Sequence, residues 1–231
     1  MKTLFYLLVA VFLSSCAALQ SIRTITAKNV FVKIETDSGT MVAKLYNKTP
    51  LHTDNFVKLV KEHFYDGLLF HRVIKDFIIQ GGDPDSKNAK PGVRLGDGGL
   101  KYTIPAEFDT SLYHKKGAIA MARESGEMNP QKLSSSTQFY IVEGKPVTDA
   151  QMDSWEPRFK IKIPENHRAV YRTVGGAPFL DMDYTVFGEI IYGLDVIDKI
   201  ANAAKDANDR PLHDIKMNIT LLKGNELKKY Q

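Results

Sequence analysis

Phe70-His71-Arg72-Val73-Ile74-Lys75-Asp76-Phe77-Ile78-Ile79-Gln80-Gly81-Gly82-Asp83 is the stretch on which the reading of this chain turns. Strand-like runs at 69–73 and 77–80 set Arg72 among Phe70, Val73, Ile74, Phe77, Ile78 and Ile79. A guanidinium among apolar groups is partly desolvated, and the plain reading is an arginine paired with a carboxylate at a barrel rim. Gln80-Gly81-Gly82-Asp83 adds an amide beside a sharp backbone turn, which a strand end alone would explain.

Outward from this stretch the strand rhythm recurs. Val30-Phe31-Val32-Lys33-Ile34-Glu35 and Thr40-Met41-Val42-Ala43-Lys44-Leu45-Tyr46 flank Asp37-Ser38-Gly39 and predict a hairpin. Further runs lie at 117–122, 138–143, 185–190 and 214–222, where Ile215, Met217, Ile219 and Leu221 alternate with polar residues. Phe56, Val57, Val60 and Phe64 predict a helix over 50–64, stopped near Gly67. Leu194, Ile197, Ile200 and Ala204 predict a second over 194–204. Many short strands with two core helices point to a closed antiparallel barrel.

The rhythm stops between Gly144 and Gly176. Thr148 with Gln151 is a capping-box signal, and a second helix begins near Pro164 and closes at Gly175-Gly176. This predicts an insert over 145–177 made of two short helices, too small for a core of its own. It is basic at Arg158, Lys160, Lys162, His167, Arg168 and Arg172, and it leads directly to Phe179-Leu180. Its sole tryptophan, Trp155, reads as a local packing anchor rather than a binding platform.

The chain has 231 residues, 43% hydrophobic and 25% charged, which suits one globular domain. A net charge of +4, spread along the chain, does not make a nucleic-acid surface. With one cysteine, Cys16, there is no internal disulfide. Lys2 followed by the apolar run Leu4 to Leu13 and then Leu13-Ser14-Ser15-Cys16 resembles the signal and lipobox of a bacterial lipoprotein. That implies a signal peptide over 1–15, acylation of Cys16, a tether over 16–28, and a lipid-anchored protein of the cell envelope on its periplasmic or outer-membrane face. The folded domain then spans 29–223 and a short tail 224–231.

Three later pieces join the opening stretch: Gly117-Ala118-Ile119-Ala120-Met121-Ala122-Arg123, Ser134-Ser135-Ser136-Thr137-Gln138-Phe139-Tyr140-Ile141, and Pro178-Phe179-Leu180-Asp181 leading to Tyr184-Thr185-Val186-Phe187-Gly188-Glu189. In this order and spacing they resemble the cyclophilin family of peptidyl-prolyl cis–trans isomerases over roughly 30–222, interrupted only by the insert. The resemblance implies an eight-stranded antiparallel barrel capped by two helices, with a groove on its outer face. By motif it places Arg72, Phe77 and Gln80 as catalytic residues. Ile78, Ala122, Arg123, Gln138, Tyr140, Phe179, Leu180 and Tyr184 become substrate-binding residues. It implies proline-containing peptides and unfolded clients as partners, a monomer, no cofactor and no metal.

The chemistry needs neither nucleophile nor metal. Amide resonance opposes rotation by roughly 18–20 kcal/mol, and a catalyst must hold the proline and favour the twisted amide. Phe77, Ile78, Tyr140 and Leu180 supply an apolar pocket. Arg72 supplies a permanently charged donor, with Gln80 to position it or to meet substrate backbone. Ala122 and Arg123 offer backbone groups to the residue before proline. The chain departs from familiar eukaryotic members at Phe179 (tryptophan there), Tyr184 (histidine) and Arg123 (asparagine), and Tyr140 replaces phenylalanine. Loss of the indole N–H at Phe179 implies weak cyclosporin binding with activity retained.

Other clusters read plainly. Asp83 and Asp85 around Pro84 read as solvated turn carboxylates, the six histidines lack ligand spacing, and Ser134-Ser135-Ser136 reads as a loop. Two rival functions remain. A non-catalytic prolyl-binding module or chaperone would keep the scaffold without turnover. A lipocalin-like carrier would have an open lumen where an isomerase barrel is filled by side chains.

Overall fold

The computed structural model describes residues 29–124 and 126–230. The expected signal peptide, the tether and Cys16 lie outside the described residues.

β1 (Val30–Thr36) and β2 (Gly39–Leu45) form the expected hairpin. Helix α1 (Pro50–Lys61) leads to β3 (Leu68–Ile74) and β4 (Ile78–Gly81). Then come β5 (Thr103–Ile104), β6 (Ala118–Met121), β7 (Ser134–Ser135) and β8 (Phe139–Val142). The insert holds α2 (Asp149–Phe159) and α3 (Glu165–Thr173). β9 (Val186–Tyr192), α4 (Leu194–Ala201), β10 (Lys216–Leu221) and a short α5 (Gly224–Leu227) complete the chain. The barrel closes in the order β1-β10-β3-β4-β8-β6-β9-β2, every pair antiparallel.

Alternation explains how one set of strands serves two faces. Val73, Ile79, Phe139, Ile141, Ile119 and Met121 join the cluster that fills the barrel, with Val32, Ile34, Met41 and Leu45. Their neighbours Ile78, Tyr140, Val142, Ala118 and Ala120 form a second cluster on the other face. The lumen is therefore packed, which removes the carrier reading. Phe56, Leu59 and Val60 of α1 and Val196, Ile197 and Ile200 of α4 pack into the same core.

Local chemistry sets the element ends. Pro50 stands in the first turn of α1, and the Glu107 carboxylate accepts from the N–H groups of Leu51 and His52, each at 3.0 Å. α1 ends at Lys61 rather than Phe64, because His63 turns into the left-handed region (φ 56°) and the Phe64 N–H donates back to the Leu59 carbonyl. α4 ends at Ala201 rather than Ala204, where the Asn202 amide donates to the Asp198 carbonyl.

The insert has the two expected helices, and the Thr148–Gln151 capping box is formed. Contrary to expectation it carries a core of its own, in which Val147, Met152, Ile163 and Tyr171 are buried with Trp155 packed against them. Two helices crossed by Arg168, which pairs with Glu156 at 3.0 Å and Asp153 at 2.8 Å, enclose enough apolar surface for a satellite cluster. Ser134-Ser135 is not loop but β7, paired with β5.

Candidate active site

A β-bulge aims Arg72. Phe70 opposes Gly81 and Arg72 opposes Gln80, so His71 is the extra residue in β3. Phe70 and Val73 both face the barrel core. Strict alternation from Phe70 would send Arg72 inward as well; the bulge reverses the parity and turns it out. Arg72, Gln80, Tyr140 and Ala120 then stand in one cross-strand row over β3, β4, β8 and β6.

A chain of amides orders this row. Gln138 donates to the carbonyls of Gly96 (2.8 Å) and Gly98 (2.6 Å). Its own carbonyl accepts from Gln80 Nε2 at 3.0 Å, which leaves Gln80 Oε1 to accept from Arg72 Nη1 at 3.4 Å. Each amide is fixed at one end by its donor and at the other by its acceptor, so the Gln80 carbonyl points at the guanidinium.

The row borders a groove of about 920 Å³. Arg72, Phe77, Ile78, Gln80, Ala122, Arg123, Gln138, Tyr140, Leu180 and Tyr184 line it. Phe179 stands just behind, its ring 5.6 Å from that of Phe77. The sequence motifs, far apart along the chain, thus converge on one surface.

Three details differ from expectation. The Ala122 N–H is spent on the Gln138 carbonyl (2.9 Å), and its carbonyl accepts from the Ser135 N–H (2.8 Å). The Arg123 side chain is committed elsewhere: it donates to the Asp183 carboxylate (2.7 Å) and carbonyl (2.9 Å) and lies 4.5 Å over the Tyr184 ring. Asp83 is not a solvated turn carboxylate. It is fully buried and accepts from the Asp85 N–H at 2.8 Å and from the Gly96 N–H, so it ties the Gly96–Gly98 segment to the end of β4. Gly82 permits the turn just before Asp83, because its backbone (φ 89°) passes under the Thr137 carbonyl, where a Cβ would come within 2.3 Å.

His114, Asp181, Tyr171 and His71 take part although the motifs gave them no role. Tyr140 adds a hydroxyl to the pocket, and His114 Nε2 lies 2.9 Å from it. The tautomer in which His114 Nδ1–H donates to Asp181 Oδ1 (2.9 Å) leaves Nε2 to accept the Tyr140 O–H. Asp181 Oδ2 accepts from the Tyr171 hydroxyl of α3 at 2.7 Å. Burial holds the Tyr140 and Tyr171 hydroxyls well above the usual phenol range, so they stay protonated. The Tyr140 hydroxyl is thereby bound away from substrate. His71 also lines the groove, with both ring nitrogens unpartnered, and burial lowers its pKa to about 4. Among the described residues no group of three or more His, Cys, Asp or Glu side chains could hold a metal ion.

Comparison with known proteins agrees with this geometry. Residues 31–220 match the model of the cyclophilin type peptidyl-prolyl cis–trans isomerase family. A Staphylococcus haemolyticus protein named as a candidate peptidyl-prolyl cis–trans isomerase is 33% identical over 202 residues, 84% of this chain and 91% of its own. A Staphylococcus aureus protein named likewise is 35% identical over 190 residues, covering 80% and 87%. The crystal structure of a Cryptosporidium parvum cyclophilin type isomerase superposes with a TM-score of 0.60 at 24% identity, over 85% of this chain and 99% of the other. A second structure of that protein, obtained in the presence of the dipeptide Ala-Pro, gives 0.59 over 84% and 99%.

The chain belongs to the cyclophilin-type peptidyl-prolyl cis–trans isomerase family, and its activity is that of an isomerase.

Proposed function

We propose that the groove captures X–Pro segments of exported proteins, unfolded or still folding, and that Arg72 drives the twist of the amide. Phe77, Ile78, Tyr140 and Leu180 hold the pyrrolidine ring and exclude water from it. As the C–N bond rotates, resonance is lost and a lone pair develops on the proline nitrogen. The Arg72 guanidinium donates to that lone pair, an interaction absent from either planar isomer. The Arg123 backbone is left to engage the residue before proline.

The observation that carries this reading is the ordered row from Gln138 through Gln80 to Arg72, beside the Tyr140 ring. A charge held before substrate arrives costs no reorganisation when the amide twists. Arg72→Ala is expected to lower kcat/KM on a proline tetrapeptide by roughly 10²–10³ with an unchanged circular dichroism spectrum. Near-normal turnover would overturn the role given to Arg72.

The exported setting rests on Leu13-Ser14-Ser15-Cys16 behind the apolar leader. Acyl chains on Cys16 then hold the domain at the envelope membrane, within reach of newly translocated chains. Cys16→Ala is expected to move the protein from the membrane fraction to the soluble fraction. A variant that stays membrane-bound would sink the anchor.

A further inference from the structure

Beyond the residues that line the groove, a row of aromatic rings runs from Phe77 through Phe179 to side chains of the insert. The rings of Phe77 and Phe179 lie 5.6 Å apart at 31°, and those of Phe179 and Phe159 lie 5.6 Å apart at 34°. Phe77 and Phe159 are not paired with each other, so Phe179 stands in the middle of a row. Trp155 meets Phe179 edge-on at 5.2 Å. Phe159 is 40% exposed, a large apolar surface left open beside the groove.

The row is built rather than incidental. Trp155 and Phe159 lie four apart on α2, with Met152 fully buried beneath them in the insert's core. Lys160 takes a left-handed backbone (φ 55°) and carries the chain away immediately after Phe159. Arg168 clamps α2 to α3 through Asp153 and Glu156, and Tyr171 of α3 donates to Asp181, next to Leu180. The shelf is therefore rigidly joined to the pocket, and little conformational entropy is lost when something lies on it.

We propose that this row is a further substrate subsite, which takes a bulky apolar side chain, aromatic above all, two to three residues from the proline of a client chain. It rests on the reading of the proline groove given above. Two ring-to-ring steps of 5.6 Å match the span of about three extended residues at roughly 3.3–3.6 Å each. Phe159, 40% exposed with the Arg158 guanidinium 5.2 Å over its ring, suits edge-on aromatic packing. The shelf gives the enzyme a preference for proline near hydrophobic segments, which unfolded chains expose and folded ones bury.

The test uses the full domain and peptide pairs with Phe or Ser two or three residues from proline, on the N-terminal or the C-terminal side. Exchange is followed by nuclear magnetic resonance. Wild type is expected to turn over the Phe peptide with kcat/KM about fivefold higher on one side. In Phe159→Ser that ratio falls to about one, and in Phe159→Leu it is mostly retained. Turnover with no preference on either side, or a preference that survives Phe159→Ser, overturns the shelf and leaves the groove standing. Absence of turnover on every peptide overturns the groove and the shelf together. A dimer in sedimentation that Phe159→Ser converts to monomer, without any peptide preference, assigns the row to self-association and also overturns the proposal.

Discussion

Arg72 reaches the groove with its orientation decided by a residue that never touches it. Gln138 is buried, holds two glycine carbonyls with its amide N–H groups, and offers its carbonyl to Gln80. Gln138→Leu keeps the volume but removes all three interactions. The Gln80 amide then loses its reason to point its carbonyl at Arg72. We expect kcat/KM to fall roughly 10–100-fold, mostly through kcat, as happens when a supporting group is removed from a reacting one. The glycine carbonyls left without a donor add about 1–3 kcal/mol of destabilisation, read by urea titration. Undiminished kcat would show that Arg72 is oriented without the relay. At the same scale, Phe179 supplies a ring where familiar eukaryotic members carry an indole, and its ring is already engaged by Phe77, Trp155 and Phe159.

Among the elements, the α2–α3 insert buries a cluster separate from that of the barrel. Its cluster is small, and Met152 and Tyr171 are fully buried in it. Met152→Ala opens a cavity there, at a cost of about 2–4 kcal/mol. We expect amide exchange to accelerate over 147–175, while β3, β4 and β8 keep their protection. Equal acceleration across the barrel would show that insert and barrel unfold as one unit. The bulge in β3 is the other decisive element. One added residue, His71, converts a strand that would bury Arg72 into one that presents it.

For the molecule as a whole, two buried histidines make stability depend on pH. His71 is buried and neutral, with its pKa lowered to about 4, chiefly by burial and against the attraction of Asp83. His52 is lowered as well, again chiefly by burial, although its hydrogen bond to Glu107 works the other way. Unfolding releases both rings to a value near 6.5, so the unfolded state binds more protons below that pH. The His71 contribution is fully present above about pH 6.5 and is lost as pH falls towards 4, and that of His52 is lost in the same direction. For His71 alone the span corresponds to at most roughly 3 kcal/mol. Denaturation midpoints are expected to drop steeply over that window and to drop less in His71→Gln. Parallel profiles for the two proteins would remove His71 from the account.

Sequence alone determined the parts that depend on local pattern: the alternating strands, the two core helices, the Thr148 capping box and the start of α3 at Pro164. These follow from side-chain periods and backbone preferences within a few residues. The ordered motifs also named the groove residues, through the resemblance to the cyclophilin family that they carry. Tertiary structure decided the rest. Asp83 and Asp85 share a turn, yet only the approach of Gly96 makes Asp83 a buried clamp. His114, Tyr140 and Asp181 meet across long separations in sequence, and no local period announces such a meeting. Phe159 looks like an exposed helix end until Phe179 stands beside it. The bulge at His71 belongs here too, because strand parity can be read along a chain only until an extra residue reverses it, and a bulge exists only relative to the partner strand.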